Sequence, residues 1–570
     1  MGGLAASRVE AFVLRVVSGL ALVSVIVMVL GSYSLDWALG GVVIVLVASI
    51  GIQVYRKSEA PGVETGSSEP FVILEWVCLA GLGVVGVLTL ISAFAPVTSW
   101  DAGVAHLALL DGNVYSVYPQ ALHSLFTLMF FVSGEGAVTL LCWCFGALAC
   151  GAIFSPGQRL ENRVAGLLAA AFLATSPISI SQVGTVAIDM PFAGIVLGVL
   201  LCVVCWQDEK KLQWLLVASI LAGFGCGVRH PGYLVVVLSA IGIAWSERGV
   251  RSALMFSEIA AVSALPWFLR SYLLVGNPVY PMFESMFPQE VFAAHQRTDW
   301  GAHETVESAS LFGFFGFSFD MVMHPDRYDG WPANPGGWVW ILGIPGVIMG
   351  GRVVRALALF SLVGVSCFYM LQRLARYATA FFVPMMAVAG VAGSRLSLKS
   401  RTLTFFIAAG IVYGCVLAVG TMYFKVPVAF GIESREDYLI RRVDHYEAFA
   451  WVNENIPEDA RILTLDQRSY FLGRPTFQNL YELPALKKMT LDEKVEWFEA
   501  RGIRYIFLPE EIAQEAPYLH ALGMPEEFLL WEESPEYFRV VAELMIAQVR
   551  GEGDERVLIL EVLLPPAEAN

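Results

Sequence analysis

Several ionisable side chains stand in a polar segment that directly follows a hydrophobic run. Residues 98–125 read TSWDAGVAHLALLDGNVYSVYPQALHSL and include Asp101, His106, Asp111 and His123. Ionisable groups beside the hydrocarbon of a membrane are costly, and where they persist they usually serve function. Asp101 could act as a general base toward an acceptor hydroxyl, or bind a divalent cation that neutralises a phosphate leaving group. The alternative is that Asp101 caps an interfacial helix.

His106 is the candidate catalytic partner of Asp101. If Asp101 begins a short helix, His106 lies about 140° further round the helical wheel, so the two side chains need not share a face. A second acid, Asp189, stands alone in the apolar stretch GTVAIDMPFAG. Because an unpaired buried carboxylate is costly, Asp189 should meet a cation, a metal or a hydroxyl. A purely structural pairing with an arginine is the alternative.

Four arginines lie at or near the same predicted end of the hydrophobic runs. They are Arg229 in GCGVRHPGYL, Arg270 in PWFLRSYLLVGNPVYP, and Arg373 and Arg376 in RLARYATAFFVP. Arginine at such a position can hold a lipid phosphate or diphosphate by paired hydrogen bonds. A single one would more simply extend to lipid headgroups, but the set favours an anionic lipid substrate. The predicted site therefore has Asp101, His106 and Asp189 as candidate catalytic residues. Its candidate ligands of the donor phosphate are Arg229, Arg270 and Arg376.

The elements that must position these residues are membrane helices. The chain has 570 residues, 56% hydrophobic and 15% charged, with a mean hydropathy of +0.63. Runs of about 20 apolar residues, the length that crosses a bilayer, recur about thirteen times up to residue 424. Lys and Arg concentrate in alternate connections, which predicts a cytoplasmic N-terminus and an external C-terminus. We therefore predict a multi-pass protein of the cell (inner) membrane.

Two external loops and a C-terminal domain complete the predicted organisation. The loops cover about residues 95–135, as short interfacial helices, and about residues 276–336. Residues 425–570 alternate helical patterns with the short apolar runs ARILTL, IRYIFLP, FRVVAEL and VLILEVLL. This alternation predicts a small external α/β domain in which the runs are strands. The acidic bias, a net charge of −15, argues against a nucleic-acid partner. All nine cysteines lie in or beside apolar runs and are interpreted as packing residues.

Four segments together resemble the GT-C superfamily of integral membrane glycosyltransferases, particularly the dolichyl-phosphate-mannose mannosyltransferase-like and RgtA/B/C/D-like branch. They are WDAGVAHLALLDGNVYSVYPQALHSL, ATSPISISQVGTVAIDMPFAG, PWFLRSYLLVGNPVYP and RLARYATAFFVP. The resemblance covers roughly residues 99–475. It implies a GT-C-like fold in which external loops and helix ends form a cavity for a polyprenyl-phosphate-linked sugar.

The resemblance also implies roles for individual residues. Enzymes of this kind are usually inverting, with an external aspartate as base and sometimes a divalent metal cation. Asp101 matches the first-loop catalytic acid, Asp189 the second acidic position, and Arg229 a position that often contacts donor phosphate. Many relatives have two adjacent acids in the first loop, whereas Ala102 follows Asp101 here, which weakens a metal assignment. His123 stands where some relatives have an acid, so Asp101, His123 and Asp189 are the candidate metal ligands.

The preferred function is transfer of a sugar from a polyprenyl-phosphate donor to an envelope acceptor, which could be a glycolipid, a polysaccharide or a protein. The alternative is a transporter or flippase of a lipid-linked saccharide. A transporter would place charged or broken helices near the middle of the bilayer and often shows internal repeats. Here the polar groups gather at predicted helix ends and no repeat is evident, which favours the enzyme. A non-enzymatic envelope scaffold would leave Asp101 and Asp189 unexplained.

Overall fold

The computed structural model describes most of the chain in two compact units. The described residues are 15–17, 19–27, 41, 72–98, 120–246, 249–280, 282–283, 286–287, 311–327, 334, 336–371, 375–464, 466, 468–477, 483–510, 530–549 and 553–563. The first unit draws on Met1–Ala95, Pro119–Arg270 and Ser308–Ala429. The second draws on Pro96–Tyr118, Ser271–Glu307 and Phe430–Asn570. The domain boundary predicted after residue 424 stays a prediction.

The first half of the membrane region is a run of helices that are joined by short connections from α2 onward. They are α1 (Ile73–Ser92), α2 (Ala121–Leu160), α3 (Arg163–Ala174), α4 (Pro177–Gln182), α5 (Asp189–Glu209), α6 (Leu212–Val228), α7 (Gly232–Ala244) and α8 (Gly249–Val275). The second half contains α9 (Leu311–Met323), α10 (Trp338–Ile341), α11 (Gly343–Met349), α12 (Arg352–Leu371), α13 (Thr379–Ser397), α14 (Arg401–Met422) and α15 (Val426–Ala429).

The length and apolar composition of these helices confirm a polytopic α-helical membrane protein. Among the described residues, six helices are long and apolar enough to cross a membrane, and several shorter apolar helices accompany them. The predicted total of about thirteen spans stays a prediction, because the runs that begin near residues 11 and 36 lie largely outside the described residues.

Helices α5 and α13 form the centre of the membrane unit. In the most apolar 18-residue stretch of α5, 100% of the residues are buried, and in the corresponding stretch of the segment Ala375–Ser397 94% are buried. Both helices are buried because they are apolar on all sides. In the peripheral helices α1, α8 and α14, a third or less of the residues in the corresponding apolar stretch are buried. This is expected for helices that have a lipid-facing side. All nine cysteines are free thiols, and Cys144 is exposed, so their interpretation as packing residues stays a prediction.

Arginine–carboxylate pairs join several helices at one end of the bundle. Arg163 at the start of α3 contacts Glu75 of α1, with Nε 2.6 Å from Oε1 and Nη2 3.0 Å from Oε2. Arg395 near the end of α13 contacts Glu161 at 2.6 Å. Arg159 near the end of α2 contacts Glu209, the last residue of α5, at 3.2 Å. Arg159, Arg163 and Arg395, from connections predicted to be cytoplasmic, therefore share one end of the bundle. Asp189, at the opposite terminus of α5, marks the other end.

Helix α2 contains a sharp break near the predicted end of the first loop. Ser133 has φ −157° and ψ 32°, and Gly134 has φ 67° and ψ −159°, a backbone conformation essentially restricted to glycine. The break separates a segment of 12 residues, 121–132, from the long helical segment that starts at Glu135. The short segment, which begins one residue after Gln120, corresponds to the second half of the predicted loop 95–135.

The C-terminal part of the second unit folds around a five-stranded mixed sheet. Its helices are α16 (Arg435–Ile440), α17 (Tyr446–Asn455), α18 (Leu483–Leu486) and α19 (Leu491–Ala500), and its strands are β1 (Arg461–Thr464), β2 (Thr476–Phe477), β3 (Ile503–Pro509), β4 (Phe538–Ala547) and β5 (Asp554–Val562). The strand order is β2-β1-β3-β5-β4. β1 pairs in parallel with β2 and β3, and β5 pairs antiparallel with β3 and β4. The four apolar runs predicted as strands form β1, β3, β4 and β5.

A buried cluster of charged side chains connects the start of α17 to the end of β1 and the start of β5. His445, which precedes α17 and has φ 63°, contacts Asp466 through Nδ1 and Glu555 through Nε2, each at 2.7 Å. Arg468 donates to Asp466 at 2.7 Å and to Asp444 at 3.1 Å. Burial would lower the pKa of His445, but hydrogen bonds and charges from Asp466 and Glu555 raise it to about 9. Burial would raise the pKa of Asp466, but Arg468 and His445 hold it well below its usual range.

We expect the C-terminal domain to lose stability as the pH rises from 7 to 10. The pKa of His445 is raised from its ordinary value of 6.5 to about 9, so its stabilising contribution is complete below the ordinary value and disappears as pH rises through about 9. The loss is at most about 3 kcal/mol. The measurement is the urea midpoint of the full-length protein in detergent, followed by mapped limited proteolysis. His445→Gln should have a lower urea midpoint than wild type at pH 7, and this midpoint should fall little further by pH 10. An equal fall of the urea midpoint with pH in both proteins would contradict the prediction.

Candidate functional site

The centre of the candidate site is an ion pair between two of the predicted residues. Asp189 is the first residue of α5, and Arg229 directly follows the last residue of α6. The two helices run antiparallel, so these termini meet and the Asp189 carboxylate pairs with the Arg229 guanidinium. The side chains are 9% and 15% exposed, respectively. The helix dipoles favour this arrangement, because the carboxylate lies at an N-terminus and the cation at a C-terminus.

The Tyr377 ring brings a second predicted arginine to the pair. The Arg229 guanidinium carbon lies 4.2 Å from the centroid of the Tyr377 ring, and that of Arg376 lies 5.2 Å from the same centroid. Both distances are within the range of cation–π contacts. Arg376 and Tyr377 belong to the 3₁₀ turn Ala375–Ala378, which leads into α13. Three of the predicted residues, Asp189, Arg229 and Arg376, therefore converge around a ring that sequence reasoning did not include.

This cluster has the composition of an anion-binding site. The ionisable side chains described above are two guanidinium groups and one carboxylate. Arginine presents paired N–H donors that match the oxygens of a phosphate. The Asp189 carboxylate is directed at the Arg229 guanidinium. The geometry around Asp189 thus favours a role in orienting Arg229. Pairing with an arginine, the structural alternative for Asp189 in the sequence analysis, is present.

Arg270 and His123 belong to a second group at the start of α2. Arg270 of α8 lies with Nη2 3.5 Å from Oε1 of Gln120, at the outer limit of a hydrogen bond. The His123 ring packs edge-on against Phe126, with the ring centroids 5.9 Å apart. Both Gln120 and His123 come from the YPQALHSL stretch of the first loop, so the structure places this end of the loop beside the predicted phosphate ligand Arg270.

Aromatic rings continue from the ion pair toward α8. The His230 ring, next in sequence to Arg229, lies 6.3 Å from Tyr233, and Tyr233 lies 5.7 Å from Phe268 of α8. Arg270 is two positions after Phe268 in α8, so its side chain points to a different side of that helix.

The connection before α5 holds Asp189 in place through a close approach to α1. Gly184 has φ +80°, and a Cβ added there would clash with the Thr89 carbonyl oxygen. The same oxygen accepts a hydrogen bond from the Ala93 N–H at 3.1 Å. Only glycine fits both the backbone conformation and the space at this position.

Asp101 and His106 lie outside the described residues, so their predicted catalytic roles stay predictions. The metal prediction can be tested in part. Among the described residues, no group of three or more His, Cys, Asp or Glu side chains could hold an ion. Around Asp189 the residues do not fit a divalent cation, because the Arg229 guanidinium pairs with the carboxylate that would ligate it.

Sequence reasoning missed two residues at the Asp189 end of the bundle. Tyr377 carries a signal only in its position after Arg376 in RLARYATAFF. Lys425, which follows α14, is 9% exposed, and its Nζ lies 2.9 Å from Oγ of Ser92, the last residue of α1. A lysine directly after the last hydrophobic run resembles an ordinary flanking charge, and only the packing of α14 on α1 shows that it is buried.

Comparison with known proteins agrees with the sequence resemblance. Residues 117–271, which include Gln120, His123, Asp189, Arg229 and Arg270, match the family model of dolichyl-phosphate-mannose-protein mannosyltransferases. No curated protein has a significantly matching sequence. The family match confirms the predicted resemblance to membrane glycosyltransferases and the predicted enzyme class.

Solved structures show the same fold at low sequence identity. ArnT from Cupriavidus metallidurans in the apo state is 14% identical, with 85% of this chain and 98% of that chain covered and a TM-score of 0.56. The same protein bound to undecaprenyl phosphate is 14% identical, with 86% and 99% covered and a TM-score of 0.51. The likeness confirms the predicted GT-C-like membrane fold.

Proposed function

We propose that this membrane glycosyltransferase transfers a sugar from a polyprenyl-phosphate donor to an envelope acceptor. The donor phosphate binds at the Arg229–Tyr377–Arg376 cluster, and Arg270 contributes from α8. The acceptor is a glycolipid, a polysaccharide or a protein on the external face of the membrane. Undecaprenyl phosphate, the ligand of the ArnT structure with the same fold, is the model for the lipid.

The convergence of Arg229 and Arg376 on one ring carries this proposal. Two guanidinium groups near the end of a membrane bundle favour a ligand that is both anionic and anchored in lipid. Asp189 accepts from Arg229 and fixes its direction, which makes Asp189 a positioning residue. A glycosyl phosphate has the charge for such a site, and its lipid chain keeps it in the membrane.

The proposed reaction is a single inverting displacement. The acceptor hydroxyl oxygen attacks the anomeric carbon, and the bond from that carbon to the phosphate oxygen breaks. The electron pair stays on the phosphate, whose increased charge the arginines stabilise. Asp101 takes the proton of the hydroxyl as general base, and His106 assists from the same loop. The products are the glycosylated acceptor and the polyprenyl phosphate.

The orientation of the protein in the membrane is part of the proposal. Arg159, Arg163 and Arg395 share one end of the bundle, and short basic connections stay in the cytoplasm. The Asp189 end then faces outward, together with the loop that carries Asp101. The N-terminus is cytoplasmic and the C-terminal domain is external, on the face where the acceptor is found.

The experiment that tests the function is a transfer assay with purified full-length protein. Radiolabelled sugars on a panel of polyprenyl phosphates are incubated with envelope extract, and label in the acceptor fraction is counted. A heat-denatured preparation serves as the control. Transfer from at least one donor is the expected result. Movement of lipid-linked sugar across protein-containing liposomes, without transfer from any donor, would instead identify the transporter.

A further inference from the structure

A buried tyrosine of the C-terminal domain faces the residues that lead into the first loop. Tyr438 of α16 is 0% exposed, and its hydroxyl oxygen makes no hydrogen bond of ordinary geometry with the described residues. The Thr98 side chain lies beside this hydroxyl. Burial raises the pKa of Tyr438, and the interaction with Thr98 opposes the rise. Since a buried hydroxyl without a polar neighbour is costly, Thr98 is the neighbour that favours a tyrosine at this position.

Thr98 and Tyr438 belong to the same compact unit, although they are far apart in the sequence. The second unit groups Pro96–Tyr118 with Phe430–Asn570. In the described part of the first of these segments, Val97 is 4% exposed and Thr98 is half-buried. The residues that lead into the first loop therefore pack within the unit that contains the C-terminal domain.

Helix α16, which carries Tyr438, is an anchored part of the C-terminal domain. Ser434 caps its N-terminus, because the Ser434 Oγ accepts from the Asp437 N–H at 3.0 Å. Leu439, next to Tyr438 in the chain, is 0% exposed. Shortly after α16, His445 joins the buried cluster of charged side chains beside the sheet. Tyr438 is therefore held by the packed domain and can serve as a fixed point for the loop.

The membrane helices hold the same connection a few residues earlier. Ser92 Oγ, at the end of α1, accepts from Lys425 Nζ at 2.9 Å. The Ala93 carbonyl oxygen accepts from Thr139 Oγ1 of α2 at 2.5 Å. Thr98 is the next polar side chain after Ser92 in the sequence. The contact with Tyr438 thus lies at the first polar side chain beyond the end of α1.

We propose that Tyr438 is a positioning residue for sugar transfer, whose hydroxyl contacts Thr98 and so holds the part of the first loop that carries Asp101. The inference rests on the proposed function, in which Asp101 is the base. Asp101 follows Thr98 by three residues, a length that spans at most about 11 Å, so a shift of Thr98 is passed on to the base. Misplacement of a reacting group by about 1 Å can lower a rate about 100-fold. The C-terminal domain then contributes to catalysis without contacting the reacting atoms.

Substitutions that remove only this contact test the proposal. Tyr438→Phe deletes the hydroxyl and keeps the ring, and Thr98→Val deletes the other hydroxyl and keeps the shape of the side chain. Each should lower kcat by about threefold to tenfold, the effect of one neutral polar contact, and leave the KM for the polyprenyl-phosphate donor unchanged. Thr98→Ser, which keeps a hydroxyl, should retain kcat. Tyr446→Phe is the matched control, because the Tyr446 ring contacts Phe471 within the C-terminal domain.

The double variant Tyr438→Phe/Thr98→Val shows whether the two side chains act together. If their contact is what holds the loop, kcat of the double variant should be at most about twofold below that of either single variant. Unchanged kcat in both single variants, or a loss in the double variant equal to the product of the two single losses, would overturn the inference. Absence of transfer by wild type from any donor would instead contradict the proposed function.

The second readout does not depend on transfer. Hydrogen–deuterium exchange of the full-length protein in detergent should be faster in Tyr438→Phe than in wild type for peptides that contain Thr98. Peptides from β3 should stay equally protected, and Tyr446→Phe should exchange like wild type around Thr98. Equal exchange around Thr98 in wild type and Tyr438→Phe would overturn the inference, whether or not wild type transfers sugar. Faster exchange throughout the C-terminal domain would assign Tyr438 to domain stability and would overturn the inference as well.

Discussion

Arg229→Gln is expected to lower kcat/KM for sugar transfer by about 10²–10³-fold. The substitution removes one of the two guanidinium groups that flank Tyr377. It also leaves the Asp189 carboxylate buried without its cation. Removing one donor that stabilises developing charge typically lowers the rate by about 10²–10³-fold, and this lost phosphate ligand accounts for the expected loss of transfer. The unpaired Asp189 carboxylate adds a separate loss of stability of about 3–5 kcal/mol.

The double variant Asp189→Asn/Arg229→Gln separates these two contributions. Neither charge is left unpaired in it, so its thermal stability in detergent should return toward that of wild type. Its transfer rate should stay as low as that of Arg229→Gln, because the phosphate ligand is still missing. Recovery of transfer in the double variant would show that the pair is only structural.

Asp189→Asn alone distinguishes a positioning residue from a base. If Asp189 orients Arg229, the variant should raise the KM for the donor and keep a measurable kcat. Complete loss of kcat, with donor binding unchanged, would restore the catalytic role predicted from the sequence. Arg159→Gln is the control at the other terminus of α5, where the more exposed Arg159–Glu209 contact is expected to contribute about 0–1 kcal/mol.

Periodicity and helix-end placement predicted much of the fold. The runs ARILTL and IRYIFLP became β1 and β3, because short apolar stretches between helical patterns fit a buried parallel sheet. β2 was missed, since Thr476–Phe477 has only two residues and its pairing depends on β1. The break at Gly134 was not predicted either, because a single glycine inside an apolar pattern does not reveal its φ angle.

The candidate site was predicted in its charged residues and missed in what joins them. Asp189 and Arg229 were identifiable because each is an isolated charge at the end of an apolar run. Their pairing depends on the antiparallel packing of α5 and α6, which brings two termini together. Tyr377 was missed because aromatic residues are common at membrane helix ends, and only the direction of Arg229 gives this one a role.

Asp101→Asn is expected to lower kcat by about 10²–10⁴-fold, the range associated with loss of a general base. The asparagine side chain has nearly the same shape but cannot take the proton of the acceptor hydroxyl. The KM for the donor should change little, because Arg229, Arg376 and Tyr377 are untouched. Steady-state transfer kinetics with the purified protein measure both quantities, and Asp111→Asn is the matched control in the same loop.

The same substitution tests the structural alternative for Asp101. Asparagine caps a helix about as well as aspartate does, so a capping role predicts nearly full activity in Asp101→Asn. A base predicts the loss, and it also predicts that wild-type kcat/KM falls at low pH as the carboxylate is protonated. If Asp101→Asn is as active as wild type, another group must take the proton of the acceptor hydroxyl. His106 in the same loop would be the next residue to replace.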